Sequence, residues 1–268
     1  MGRILQIISD VHLEHRGALS ADALPDSLGD ILVLAGDIGN IHEGSLQLQL
    51  LIAAASARWK HVLYVPGNHE YYGGDRKSVD EALQRIADEH KNVHLLNNSS
   101  ITIDGQRYVG ATLWSSPVPS SCLNDFKKIY SSVPSEDGSM KKLSREEFIS
   151  WNESSKKFLG ATVKEDDIVI THFLPLMNEE LKLFGIETRY PVDPEIDTYF
   201  GNRGLWSPMS RAKLWISGHT HQEFDGRYRI HPSTRPTRWV CNPLGYPGEN
   251  ASPNVNGIII DSANVLGE

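Results

Sequence analysis

Five short apolar runs in this sequence each lead into a polar junction that contains Asp, Asn or His. The first two, Ile4–Ile8 and Ile31–Ala35, have the length and the apolar content of buried strands. Strands that alternate with helical patterns indicate an α/β fold whose sheet is covered by helices. Ligands of such folds bind at the carboxyl ends of strands, so the junctions are expected to meet at one sheet edge. The junction residues are Asp10, His12, Asp37, Asn68, His69, His172, His219 and His221.

The apolar spacing extends this α/β interpretation along the chain. It predicts helices over 46–59 and 75–90, and Ser144 with Glu147 predicts a capping box at the start of another helix. Further strands are expected over 61–66, 107–113, 167–171, 213–217, 228–231, 238–241 and 257–261. Two stretches, 115–142 and 174–208, have the composition of inserted loops, and the second is expected to form a lid. We therefore predict a single domain over 1–268 with this lid.

Composition limits the classes of partner. Acidic residues number 34 against 26 basic ones, which gives a formal net charge of -8. This balance disfavours nucleic acid and anionic membranes as partners, because both attract a surplus of Lys and Arg. Two cysteines, Cys122 and Cys241, cannot form a disulfide framework. With no signal peptide in view and no apolar run of roughly 18–20 residues, a cytoplasmic protein outside the membrane is expected.

The donor set at the junctions indicates metal binding. Asp10 and His12 are two residues apart, as are His219 and His221, and in an extended segment such pairs face the same side. Oxygen and imidazole donors without thiolate suit Mn, Fe, Co, Ni or Zn. Seven donors exceed the needs of one ion that must also admit a substrate, so two divalent ions sharing a carboxylate fit better. The two carboxylates would leave a positive surplus, which suits a phosphate ester. The seven donors are Asp10, His12, Asp37, Asn68, His172, His219 and His221.

The ordered motifs around these donors resemble those of the calcineurin-like metallophosphoesterase superfamily. The motifs are Asp10-Val-His12, Gly36-Asp37, Gly67-Asn-His-Glu70, His172 and Gly218-His-Thr-His221. The resemblance implies a four-layer α/β/β/α sandwich with a dinuclear metal site at the sheet edge. It assigns the first metal to Asp10, His12, Asp37 and His221. It assigns the second metal to Asp37, Asn68, His172 and His219, with Asp37 bridging. It also makes His69 a catalytic residue that binds no metal.

Further strings resemble a narrower, uncharacterised bacterial branch of the superfamily: Leu123-Asn-Asp-Phe126, Arg189-Tyr190 and Cys241-Asn-Pro-Leu-Gly-Tyr-Pro-Gly-Glu249. The Gly36-Asp37 motif continues as Ile-Gly-Asn40 and lacks the Asp-Arg-Gly stretch of protein Ser/Thr phosphatases, so protein dephosphorylation is not supported.

The activity expected from this resemblance is hydrolysis of a small phosphate ester by a metal-bridging hydroxide. A phosphodiesterase or a broad-specificity phosphoesterase is favoured, because no motif supplies a cationic clamp for a dianion. Two alternatives stay open: a nuclease, which the acidic balance opposes, and a catalytically inactive scaffold, which the intact motifs oppose. Asn40, Tyr71 and Arg189 are candidate substrate contacts, with turn, packing and solvated-surface roles as their alternatives. The oligomeric state stays open.

Overall fold

Two mixed sheets stack at the centre of the fold. The computed structural model describes residues 2–16, 23–115, 123–183, 198–229, 234–250 and 254–265. Five strands form the first sheet, in the order β11-β1-β2-β3-β4, and six form the second, in the order β5-β6-β7-β8-β10-β9. The strands are β1 (Ile4–Ile8), β2 (Ile31–Ala35), β3 (His61–Val65), β4 (Val93–Leu95), β5 (Ser99–Ile103), β6 (Gln106–Ala111), β7 (Ile168–Thr171), β8 (Leu214–Ser217), β9 (Phe224–Tyr228), β10 (Thr237–Cys241) and β11 (Ile258–Asp261).

The inner strands of both sheets are parallel, and antiparallel strands lie at three of the four edges. In the first sheet β1 to β4 run parallel and β11 pairs antiparallel with β1. In the second sheet β6, β7, β8 and β10 run parallel, while β5 and β9 pair antiparallel at the edges. The carboxyl ends of the parallel strands carry the junctions singled out by the sequence.

Helices cover the outer face of each sheet. They are α1 (Ile41–Arg58), α2 (Arg76–Asp88), α3 (Asn124–Lys128), α4 (Arg145–Thr162), α5 (Asn178–Leu183) and α6 (Trp206–Arg211). Leu34 of β2 packs in one cluster with Leu51 of α1, and Trp215 of β8 packs in another with Leu159 of α4. A third cluster fills the space between the sheets with alternate strand residues such as Ile7. The result is the four-layer α/β/β/α sandwich that the motifs implied. Among the described helices, none is both long enough and apolar enough to cross a membrane.

Most strands agree with the sequence interpretation, and the differences have local causes. The strand expected over 228–231 begins earlier than predicted: β9 is Phe224–Tyr228, residue 229 lies outside it, and residues 230–231 lie outside the described chain. The sequence interpretation missed β4 and β5, which are short or rich in Ser and Thr and so lack an apolar signal. Helix α1 begins at Ile41 because the Asn40 side chain accepts hydrogen bonds from the backbone N–H groups of His42 and Glu43. The capping box of Ser144 and Glu147 is present at the start of α4.

Candidate metal centre

Left-handed backbone conformations bring the predicted donors together. Within the described ranges nine non-glycine residues have positive φ angles, and five of these are predicted donors. Such a conformation costs an L-residue about 1–2 kcal/mol and is tolerated best by Asp, Asn and His. The five are Asp10, His12, Asp37, His219 and His221.

The expectation drawn from extended alternation is therefore wrong. Asp10 and His12 do reach one cluster, but through left-handed rather than extended backbone. His219 and His221 lie in two different clusters, although they are two residues apart. A hydrogen bond from the His219 backbone N–H to Asp10 Oδ1 (2.9 Å) helps to fix this turn.

The first cluster gathers Asp10, His12 and His221. The Nε2 atoms of His12 and His221 lie 3.0 Å apart, and Asp10 Oδ1 lies 3.5 Å from His221 Nε2. Each ring has its Nδ1 next to a carboxylate: His12 Nδ1 donates to Glu14 Oε1 (3.3 Å), and His221 Nδ1 donates to Glu249 Oε2 (2.5 Å). In the neutral rings, both facing Nε2 atoms therefore carry lone pairs. Two lone pairs at this distance are the arrangement that a cation requires.

The second cluster gathers Asp37, Asn68, His172 and His219. His172 Nε2 lies 3.2 Å from Asn68 Oδ1, 3.2 Å from His219 Nδ1 and 3.4 Å from Asp37 Oδ1. The opposite ring nitrogens donate to main-chain carbonyls, of Ala35 for His172 (3.0 Å) and of Tyr199 for His219 (3.3 Å).

The Asn68 side chain is also oriented by hydrogen bonds from its donor group to residues outside the cluster. Its Nδ2 donates to the Tyr72 hydroxyl and to Asp125 Oδ1, both at 2.9 Å, which turns Oδ1 towards His172. With both rings neutral, lone pairs of two nitrogen and two oxygen atoms thus converge, while the N–H groups of His172, His219 and Asn68 point away.

The protonation of these donors fits cation binding. Burial lowers the pKa of His172, but the Asp37 and Asp10 carboxylates, together with the hydrogen bond to the Ala35 carbonyl, outweigh burial and raise the pKa to about 9. Burial, together with His172, lowers the pKa of His219 well below its usual range, so that ring is neutral. In the free protein the second cluster therefore holds a proton, and a divalent cation would take its place. Both clusters fit divalent cations that accept oxygen and imidazole donors.

His69 stands beside the clusters and has a different set of partners. It begins a short 3-10 turn, His69–Tyr71, and its backbone N–H donates to Asp37 Oδ1 (2.9 Å). Its ring Nδ1 donates to Glu14 Oε1 (2.8 Å), while its Nε2 lies 4.0 Å from Asp37 Oδ2. Burial raises the pKa of Glu14, but hydrogen bonds from His12 and His69 outweigh burial and lower the pKa to about 2. Glu14 is therefore an ionised acceptor that turns Nε2 of His69 towards the clusters.

A family comparison identifies this arrangement. The model of the calcineurin-like phosphoesterase family matches residues 4–223. The chain belongs to this family. Its members use two divalent metals, and the phosphoesterase is a metal-dependent hydrolase of phosphate esters.

Individual relatives of this calcineurin-like phosphoesterase align with most of its length. An uncharacterized protein of Acanthamoeba polyphaga mimivirus, L509, is 28% identical over 250 residues, which cover 82% of this chain and 85% of the viral protein. The phosphopantetheinyl hydrolase PptH of Mycobacterium tuberculosis is similar in structure, with a TM-score of 0.61, 20% identity and coverage of 91% of this chain and 89% of that one. TT1561 of Thermus thermophilus has a TM-score of 0.54 and 12% identity, with coverage of 98% and 96%.

Glu70, the last residue of the Gly-Asn-His-Glu motif, has a structural role in this phosphoesterase. Its buried carboxylate accepts hydrogen bonds from the backbone N–H groups of Asp37 (3.1 Å), Ile38 (2.8 Å) and Gly67 (2.8 Å). The loops after β2 and β3 are thereby joined. Gly67 is required there, because a Cβ at this position would lie 2.1 Å from Asp37 Oδ1.

The structure places two of the predicted substrate contacts in the protein interior. Asn40 is 1% exposed, and its Nδ2 donates to the carbonyl oxygens of His69 (3.0 Å) and Tyr72 (2.8 Å). Tyr71 is fully buried and its hydroxyl donates to Asp80 (2.6 Å). Both geometries correct the substrate-contact hypothesis in favour of the structural alternatives. Arg189 lies outside the described residues.

Three residues at the site escaped the sequence interpretation. Glu14 contacts His12 and His69, and together the three form a further group of metal-capable donors. The Nδ1 atoms of both rings donate to Glu14. We therefore interpret this group as a carboxylate that orients two histidines and not as a third metal site. Tyr246 and Glu249 come from the loop after β10, whose string Cys241–Glu249 was the only signal for them.

Proposed function

We propose that this phosphoesterase hydrolyses small phosphate esters, as a phosphodiesterase or an enzyme of broad specificity, with one divalent ion at each cluster. The first ion would be held by Asp10, His12, Asp37 and His221, and the second by Asp37, Asn68, His172 and His219. The observation that carries the proposal is the position of Asp37 between the clusters. Its Oδ2 lies 3.8 Å from His12 Nε2 and its Oδ1 lies 3.4 Å from His172 Nε2, so each oxygen faces one cluster.

The charges of the donor set suit an anionic substrate. When bound, two divalent ions activate water and offset the negative charge of the phosphoryl group. Asp10 and Asp37 are the anionic donors of the set, so the loaded site keeps a net charge of about +2. This surplus supports a phosphate ester as substrate.

His69 is the residue that we assign to the leaving group. Glu14 holds its Nδ1, and its Nε2 faces the site beside Asp37. In the protonated ring, Nε2–H can donate its proton to the leaving oxygen while water attacks phosphorus from the opposite side. The cationic surplus would stabilise the remaining phosphoryl oxygens.

The preference for a diester rests on the cations near the site. Arg16 lies close to the clusters in sequence, but its guanidinium donates to the carbonyl oxygens of Val11 and Gly245, and so it is committed to the fold. Lys128 is exposed and lies over the ring of Tyr72, the residue that orients Asn68, 4.9 Å from the ring centroid. Among the described residues, one exposed lysine beside the site suits a monoanionic diester better than a dianionic monoester.

We also propose that residues 174–208 form a lid of the single domain 1–268. The part after the undescribed residues 184–197 reaches the second cluster: the Tyr199 carbonyl accepts from His219, and the Phe200 ring centroid lies 5.3 Å from that of His219. These contacts support a segment that closes over one side of the site.

A metal-reconstitution assay tests the proposed function. Chelation should abolish hydrolysis of nitrophenyl mono- and diesters of phosphate, and Mn, Fe, Co, Ni or Zn should restore it to different degrees. A larger kcat/KM for the diester than for the monoester would support the diesterase assignment. Full activity of a preparation in which elemental analysis finds no metal would contradict the dinuclear mechanism.

A further inference from the structure

The loop 242–250 packs against the loop that carries Asp10, although it follows β10 and lies beyond the family-matched residues 4–223. The backbone N–H groups of Leu244 and Gly245 donate to the carbonyl oxygens of Ser9 and Asp10, both at 3.0 Å. The Arg16 guanidinium also donates to the Gly245 carbonyl (2.6 Å). These bonds fix the loop beside the first cluster.

Glu249 links the loop to a predicted metal ligand. Its Oε2 accepts both the Nδ1–H of His221 (2.5 Å) and the backbone N–H of Tyr246 (2.9 Å). Gly245 and Gly248, which flank this turn, have φ angles of 73° and 82° and so adopt the left-handed conformation that glycine allows. The orientation of His221 and the position of Tyr246 therefore depend on the same carboxylate oxygen.

The Tyr246 side chain lies over the site. Its ring centroid is 4.4 Å from that of His12 and 4.7 Å from that of His221, yet the residue is 37% exposed. Its hydroxyl is hydrogen-bonded to His69 Nε2 at 3.2 Å. In the neutral ring of His69 the hydroxyl donates to Nε2, and in the protonated ring Nε2–H donates to the hydroxyl oxygen.

The group that faces His69 Nε2 marks the place of the leaving oxygen. This step rests on the proposed function, in which His69 Nε2–H donates its proton to the leaving oxygen. A hydroxyl 3.2 Å from Nε2 occupies the position that a leaving alcohol would take after it has received its proton. The partial exposure of Tyr246 allows its side chain to shift outwards and remain within hydrogen-bond reach.

We propose that Tyr246 is a catalytic residue whose hydroxyl shifts from His69 Nε2 when the substrate enters and donates a hydrogen bond to the leaving oxygen. The bond between phosphorus and the leaving oxygen breaks, and its electron pair stays on that oxygen. The oxygen takes the proton of His69 Nε2–H and leaves as an alcohol. The attacking water supplies a hydroxyl oxygen to phosphorus and releases its other proton to solvent, and the ring regains a proton from solvent after the alcohol has left. Tyr246 keeps its own proton and stabilises the charge that develops on the leaving oxygen.

Tyr246→Phe tests this role, because the substitution removes the hydroxyl and keeps the ring. With an alkyl ester, kcat should fall by about 10–100-fold, the range expected for a lost hydrogen bond to a charged oxygen. With a nitrophenyl ester of the same phosphate, the loss should be smaller than about 3-fold, because that leaving oxygen needs little stabilisation. Bound metal and melting temperature should match the wild type. Tyr130→Phe, at a half-buried tyrosine whose ring contacts Lys142, is the matched control and should change neither rate.

A second measurement does not depend on activity. In the metal-free protein, the ¹⁵N resonance of His69 Nε2 should move in Tyr246→Phe and stay in place in Tyr130→Phe. An equal loss on both esters, or a faster rate for Tyr246→Phe, would overturn the donor role, since the hydroxyl would then act elsewhere or merely block the site. If Tyr246→Phe matched the wild type on both esters, the inference would fail while the proposed function stood. If the wild type hydrolysed neither ester with any of the metals, the proposed function would fail, and with it the catalytic role of Tyr246.

Discussion

One oxygen of Glu14 is shared by two histidines with different proposed roles. It accepts from the Nδ1 of His12, a proposed metal ligand, and from the Nδ1 of His69, the proposed proton donor. The Glu14 side chain is only 3% exposed and its second oxygen has no hydrogen-bond partner among the described residues. A buried carboxylate of this kind orients both rings, so a change at Glu14 should affect both metal retention and catalysis.

Glu14→Gln is expected to lower the hydrolysis of alkyl esters by about 10–100-fold, the usual effect of losing a carboxylate that orients a metal-site histidine. The reason is that an amide can turn its NH₂ group towards Nδ1 and no longer fixes the tautomer of His69. The measurement is kcat for alkyl and nitrophenyl esters, together with the metal content of each preparation. Glu136→Gln, in an exposed loop, is the matched control.

A double-mutant cycle separates the two routes through which Glu14 can act. If Glu14 acts through His69, then Glu14→Gln should cost little further activity in a His69→Ala background. Its effect on metal content should persist there, since that effect passes through His12. Fully additive losses of kcat in the double variant would contradict the coupling between Glu14 and His69.

Asp37 differs from the other donors because its two oxygens face different clusters. Asp37→Ala should therefore weaken the binding of both ions, whereas His12→Ala should weaken mainly one. Elemental analysis after dialysis against a fixed metal concentration gives the stoichiometry, and Asp88→Ala on the exposed side of α2 serves as control. Two ions retained by folded Asp37→Ala protein would contradict the bridging position.

At the scale of elements, the sequence predicted the strands better than the loops between them. The strand Ile4–Ile8 was predicted to the residue, because an apolar run interrupted only by Gln6 ends at the polar pair Ser9 and Asp10. The division of His219 and His221 between clusters could not be predicted from alternation, since both have positive φ angles that depend on contacts with distant loops. Glu249 lies 28 residues from His221, so its hydrogen bond to that ring also needed the folded chain.

Strands β3 and β4 carry a pair of histidines that should make stability depend on pH. His61 Nδ1 lies 3.2 Å from His94 Nε2, and the two rings are stacked. Burial, with Arg3, lowers the pKa of His61, and burial, with His61, lowers the pKa of His94. Protons therefore bind the unfolded chain, whose histidine pKa is about 6.5, more readily than the folded chain. The stabilisation from this pair is complete above about pH 6.5 and is lost as the pH falls through the lower pKa values of the folded state.

His94→Gln removes one titrating ring of this pair. The free energy of unfolding in urea should consequently fall less between about pH 7.5 and about pH 5 in this variant than in the wild type, since fewer protons bind preferentially to the unfolded chain. Both proteins are measured with a chelator present, and His90→Gln provides a histidine substitution outside the pair. An identical pH dependence in His94→Gln and the wild type would contradict the assignment.

At the scale of the whole molecule, the second cluster joins the two sheets. Asp37 and Asn68 follow β2 and β3 of the first sheet, whereas His172 and His219 follow β7 and β8 of the second. The sheets otherwise meet through an apolar layer, which resists separation but does not by itself set the positions of polar loops. An ion held by residues from both sheets would therefore stabilise the folded chain as a whole rather than one loop.

Metal removal should accordingly lower the melting temperature of the protein. A ligand that binds only the folded state at 100 times its Kd adds about 2.7 kcal/mol to the free energy of unfolding. At about 2–4 °C for each kcal/mol in a chain of this size, one saturated ion should raise the melting temperature by roughly 5–10 °C. The measurement is calorimetry of chelated protein with and without added Mn, and Asp37→Ala should show a much smaller response. If elemental analysis found two bound ions in the wild type and the melting temperature did not change, the ions would not be held by the residues that join the sheets.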